Sequence, residues 1–172
     1  MTESCHKISP PSHDQNQQSL IRVIGIGSSH GVDQVGWLVC DRLQATVNGE
    51  NVDWKWCRTP TQLPQLIQDC AAVVIIDAIL SEHSTGQVIC LAWPLQQNHY
   101  QSVCSSHAIN VIEALQLAET LEQLPSHTYL LGLTVTSRDE NATSVVDNAI
   151  PQIEHELTRI VDRVAEHSSC DL

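Results

Sequence analysis

Residues 71–76, AAVVII, followed by Asp77, leave the fewest folds open to this chain. Six apolar residues without alternation cannot keep one face in water. They are too few for a membrane helix, which needs roughly 18. A short run of this kind, rich in β-branched residues, marks a strand inside a parallel sheet, covered on both faces. Parallel neighbours need long crossovers, so the chain must also supply helices between its strands.

It does. Residues 21–26 (IRVIGI), 86–91 and 129–135 read as further strands, and 52–57 (VDWKWC) alternates with period two, like an edge strand. Helical spacing runs from 33 or 34 to 47, where Val35, Leu38, Val39, Arg42, Leu43 and Thr46 recur by threes and fours. A short helix is expected over 60–70, entered at Thr59-Pro60, with a proline at its first position. Two more are expected, from 106 or 107 to 123 and from 148 to about 167, the last with Pro151 near its first turn. Residues 92–106 read as irregular. The expected fold is α/β, a three-layer sandwich with a mostly parallel, about five-stranded twisted sheet and helices on both faces. The polar residues 1–19, with Pro10-Pro11, read as a flexible tail, and 20–168 as a single domain.

Composition narrows the function. A net charge of −12 with only eight Lys and Arg argues against nucleic acid and against an anionic membrane surface. There is no apolar run long enough for a membrane span and no secretory signal, so a cytoplasmic location is expected. The seven cysteines are widely spaced and include no CxxC, which disfavours a zinc ribbon or a redox pair. Most lie in apolar runs and read as small buried hydrophobes.

In parallel sheets of this kind, ligands sit at the carboxyl ends of the strands. Three clusters belong there: Ser28, Ser29, His30 and Asp33 after the first strand; Asp77, Ser81, Glu82 and His83 after the central one; and Ser105-Ser106-His107 before a long helix. The first loop, GIGSSHGVDQVGW, admits three chemistries. As a phosphate cradle it lacks the third glycine of GxGxxG, and Asp33 would repel an anion. As a nucleophile elbow, Gly27–Gly31 matches GxSxG, and Ser29, Asp77 and His107 follow the hydrolase order, but no earlier strand supplies an oxyanion hole. As a metal site, Asp33, Asp77 and His107 offer two carboxylates and an imidazole, a donor set for a transition metal. Taken singly, Asp33 also reads as a helix cap, Asp77 as a strand terminator, His107 as a cap or surface residue, and His30 and His83 as exposed loop histidines.

The three blocks together resemble the maturation endopeptidases of nickel–iron hydrogenases, over residues 21–165. The family pattern begins with a strand, a G-x-G-N loop and an acidic pair before a glycine; here it is VIGIGSSHGVDQVGW. A central strand ending in Asp-Ala follows; here it is AAVVIIDAILS. A Ser-x-His opening a long helix comes third; here it is SSHAINVIEALQLAETLEQLPSHTYLLGLTV. The resemblance implies a peptidase that clips a C-terminal extension from the hydrogenase large-subunit precursor once nickel is in place. Asp33, Asp77 and His107 are then the metal-contacting and catalytic residues. It implies no permanently bound cofactor, since the nickel is the substrate's, and the expected state is a monomer. This chain departs from the pattern at Ser28, where the family has Asn, at the single acid Asp33-Gln34, and at Ala108-Ile109-Asn110 after His107. These departures mark a divergent branch, and a catalytically silent relative stays open, as does a serine hydrolase using Ser29, Asp77 and His107.

Overall fold

The computed structural model describes residues 20–47, 49, 51–96, 108–136 and 141–168. The expected tail 1–19 lies outside the described residues, and so do Ser105, Ser106 and His107.

Five strands form one sheet: β1 (Ile21–Ile26), β2 (Val52–Cys57), β3 (Ala72–Leu80), β4 (Val88–Ala92) and β5 (His127–Val135). Their order is β2-β1-β3-β5-β4. All neighbours are parallel except β4, which runs antiparallel to β5 at one edge. The helices are α1 (Val35–Leu43), the single turn α2 (Leu63–Leu66), α3 (Ala108–Thr120) and α4 (Ala142–Ser168).

Side-chain alternation along β3 divides the core in two. Ala72, Val74 and Ile76 pack with Val35, Val39 and Leu43 of α1 and Val146, Ile153 and Leu157 of α4. Val73 and Ile75 pack on the opposite face with Leu63 of α2 and Val111, Leu115 and Ala118 of α3. Val73 through Ile76 are 0–1% exposed, which is why this run shows no polar alternation. Each such side chain contributes about 1.5–3 kcal/mol of transfer free energy.

Arg22 ties the amino end of the sheet together. Its Nε donates to Asp53 Oδ2 on β2 at 2.9 Å, and its Nη1 donates to the carbonyls of Leu66 and Gln68 at 2.7 Å each. These bonds satisfy carbonyls at the exit of α2 that no helix continues to pair.

Several boundaries differ from the sequence expectation: α1 stops at Leu43 rather than 47, α3 at Thr120 rather than 123, β4 runs 88–92 and β5 starts at 127. Three further differences have a clear physical cause. β3 does not stop at Asp77. It loses its β1 partner after Ile76 but keeps pairing with β5 from Asp77↔Gly132 to Leu80↔Val135. The segment 60–70 is a 3-10 turn at Pro60–Gln62 and the one turn of α2, not an eleven-residue helix. α4 begins six residues earlier than expected, because Asn141 Oδ1 accepts the Ser144 N–H at 3.2 Å and caps it. Pro151 is therefore interior, on the exposed face, where the carbonyl it leaves unpaired faces water.

A tight backbone contact joins α1 to the sheet. A Cβ on Gly36 would run into the carbonyl oxygen of Ile26 and lie 2.6 Å from that of Ile76, so only glycine lets α1 meet β1 and β3 here. A Cβ on Gly25 would in turn strike the Gly36 carbonyl. Gly36→Ala should therefore lower unfolding free energy by about 3 kcal/mol, the upper range for overpacking, read as a reduced urea midpoint. An unchanged midpoint would show that α1 can lift without cost.

Candidate functional site

β1 and β3 part company after Gly25 and Ile76, at the point where connections leave the sheet in opposite directions. Such a switch point opens a crevice at the carboxyl edge. The loop after β1 folds into it. The Ser28 N–H donates to the Asp33 carbonyl at 2.9 Å, closing the loop on itself. That carbonyl lies so close over Gly27 that a Cβ there would collide with it. Asp33 is the third residue of a 3-10 turn, Gly31–Gln34, that runs directly into α1. Its carboxylate thus stands ahead of the helix, where the macrodipole favours negative charge.

Asp77 enters the crevice from β3. By alternation its side chain falls on the α2–α3 face, and it lines a pocket there with Val111 and Ile112 of α3. The residue is half-buried, and its Oδ1 accepts the Ala78 N–H at 2.8 Å. Burial pushes the Asp77 carboxyl up from 3.8 to about 7; the Ala78 N–H works against this, and the nearby Asp33 charge adds to it. The Asp33 charge thus reaches Asp77 across the crevice, although the two stand 44 positions apart in sequence.

His107, the third expected ligand, lies outside the described residues. Among the described residues no group of three or more His, Cys, Asp and Glu side chains is arranged to hold a metal ion. The other candidates have local occupations. Ser29 is exposed, with its hydroxyl 3.0 Å from Nδ1 of the adjacent His30, itself exposed. Ser81 Oγ accepts the N–H groups of His83 and Ser84 at 3.3 and 3.2 Å, and His83 is exposed.

Sequence reasoning did not single out the rim on the β2 side. Trp37 Nε1 donates to the Cys57 carbonyl at 3.0 Å, and the Arg58 guanidinium stands 5.8 Å from the Trp37 ring centroid. Arg58 follows the carboxyl end of β2, which is the one signal that placed it at this edge. The thiols nearby are quiet. Burial raises Cys40 to about 12 and Cys57 to about 11, and Cys57 Sγ donates to the Thr59 carbonyl at 3.0 Å.

The raised Asp77 carboxyl has a thermodynamic signature. Between about 3.8 and about 7 the folded protein holds a proton that the unfolded chain has released. The stability this proton confers is complete below the unfolded value and is lost as pH rises through about 7. Asp77→Asn removes the dependence. Relative to the parent chain it should gain stability between about pH 4 and pH 8, by about 2–4 kcal/mol at roughly 1.4 kcal/mol per unit. Urea unfolding of both chains at the two pH values measures this, and parallel pH profiles would mean that the carboxyl is not desolvated.

Among the described residues no helix is long and apolar enough to cross a membrane. No curated protein matches the chain. The solved structures do. The hydrogenase maturating endopeptidase HybD from E. coli is 15% identical, with a TM-score of 0.68 over 84% of this chain and 93% of its own. A second endopeptidase from Escherichia coli is 17% identical, with a TM-score of 0.72 over the same shares. The hydrogenase maturation protease HycI from Thermococcus kodakarensis KOD1 is 20% identical, with a TM-score of 0.58, again over 84% and 93%. At these identities the likeness concerns the fold. The family model HycI, hydrogenase maturation protease, matches residues 59–160, more than half of the chain, and takes in Asp77 and His107 but not Asp33. The chain belongs to the hydrogenase maturation protease family, and it is a peptidase.

Proposed function

We propose that this peptidase removes the C-terminal extension of a nickel–iron hydrogenase large-subunit precursor after nickel insertion, in the cytoplasm, and that it recognises the bound nickel directly. The observation that carries the reading is the coupled carboxyl pair, Asp33 and Asp77, at the switch-point crevice. Two carboxyls placed together in a partly desolvated cleft repel each other when both are charged. A divalent cation delivered into the cleft removes that repulsion and favours the ionised form of both. The pair is thus poised for an ion that arrives with the substrate.

In this reading Asp33, Asp77 and His107 complete the coordination of a nickel already held by the precursor. That contact fixes the scissile peptide against the carboxyl edge of the sheet, which is the entropic part of catalysis. Water adds to the scissile carbonyl carbon, the C–N bond breaks, and the departing amine takes up a proton. An empty precursor lacks the ion that joins the two surfaces, so cleavage waits for metal insertion. The protein itself holds no resident cofactor and works on its substrate as a monomer.

Cleavage of purified nickel-loaded precursor tests this. Asp33→Ala, Asp77→Asn and His107→Ala should each lower kcat/KM by about a hundredfold or more. Ser29→Ala should stay within about twofold, and a fluorophosphonate probe should leave the protein unlabelled. Loss of activity in Ser29→Ala with retention in Asp33→Ala would turn the assignment toward a serine hydrolase.

A further inference from the structure

A cavity of about 190 Å³ lies between β4, β5 and α4, and every residue that lines it belongs to the described part of the chain. That volume is far above the roughly 15 Å³ one water needs. The antiparallel pairing sets Ala92 opposite Tyr129, and both face the cavity, as does Cys90 two positions earlier on β4. Glu156, Arg159, Ile160 and Arg163 close the other side; spaced by three and four, they share one face of α4. Cys90, Ala92, Arg159 and Arg163 are exposed, so the cavity opens to solvent. It is separate from the catalytic crevice. Tyr129 belongs to the core under α1 and α4, whereas the Asp77 side chain falls on the α3 side of the sheet.

The cavity has the chemistry of a donor site. In a chain of net charge −12, two of the eight Lys and Arg line this one place. Each guanidinium carries five N–H donors and accepts nothing. Arg159 Nη1 donates to Glu156 Oε2 at 2.8 Å, which offsets one positive charge and leaves the rest of that fork for other acceptors. Tyr129 is an independent sign. Only 6% of it is exposed, yet among the described residues its hydroxyl makes no hydrogen bond. A tyrosine buried to this degree ordinarily bonds a protein group through its hydroxyl. Here it lines the same cavity as the two arginines.

We infer that this cavity is a binding site for a small oxyanion, a carboxylate or a phosphate, distinct from the peptidase centre. The anion accepts from the Tyr129 hydroxyl and from the guanidinium of Arg163, with Arg159 adding a further donor. Such bonds to a charged acceptor are the strong kind. A cation finds only the Glu156 carboxylate, which Arg159 already occupies. An apolar group leaves the Tyr129 hydroxyl without a partner.

Titration of the full chain at pH 7 with sodium phosphate and, separately, sodium acetate tests this, ionic strength being held constant with sodium chloride. The amide NMR signals of Cys90, Ala92, Tyr129 and Ile160 are followed. At least one of the two anions should shift them to saturation with a half-point of about 5 mM or below. Saturation by phosphate alone assigns the site to a phosphate, and saturation by acetate assigns it to a carboxylate. Tyr129→Phe keeps the buried ring and should weaken binding about tenfold, as should Arg163→Gln, with the remaining amide signals in place. Arg163 is exposed, so its replacement leaves the core intact even if Tyr129→Phe does not fold. No saturable shift with either anion, or the same shift with chloride alone, would overturn the site. Unchanged affinity in Arg163→Gln would overturn it as well.

Discussion

The contact of Gly36 with the Ile26 and Ile76 backbones is the constraint on which the carboxyl edge depends. It seats the first turn of α1 directly on two neighbouring strands. Because the 3-10 turn Gly31–Gln34 runs into that helix, the same contact sets the height of Asp33 above the sheet. The bond from Ser28 N–H to the Asp33 carbonyl then leaves the loop little freedom. A residue that merely follows a strand would have many positions open to it. Asp33 is held from both sides, by a closed loop behind it and a wedged helix ahead of it.

Asp77 is held differently. A strand residue paired on both sides would place its side chain against packed helices. Asp77 pairs with β5 only, because the β1 ladder stops at Gly25↔Ile76, and this half-free position gives its carboxyl an approach from the crevice. The cost is desolvation, visible as a carboxyl near 7. Fold stability and site chemistry are here in opposition: the most buried strand of the sheet carries an acid that burial disfavours.

Much of the architecture was legible in the chain. The unbroken run before Asp77 specified a central parallel strand, and the alternation in VDWKWC specified an edge, because both patterns report burial directly. What escaped was set by partners rather than by local pattern. Nothing in residues 77–80 announces that β5 extends past β1 and keeps β3 in register. The early start of α4 hung on one side-chain cap at Asn141, hidden behind a proline that looked like a first turn. At the site, residue identity and strand order brought Asp33 and Asp77 to one edge. The small apolar cluster of Ile79, Ile89 and Leu91 was not visible, since it forms only through the antiparallel pairing of β4. The Trp37–Arg58 rim was missed for a related reason: each residue looks ordinary until β2 is placed beside β1.

The state of the thiols matters to the proposed reading, in which the substrate brings a metal held by its own thiolates. A free thiolate near such a centre would be a rival ligand, able to draw the ion out of the precursor. Cys57 neighbours Asp77 closely enough to feel its charge, yet stays protonated at neutral pH with its hydrogen committed to the Thr59 carbonyl. Cys40, on the buried face of α1, is more strongly protonated still. In the proposed reading the crevice thus meets the substrate's ion with the oxygen donors of Asp33 and Asp77, while among the described residues the two thiols beneath it stay protonated.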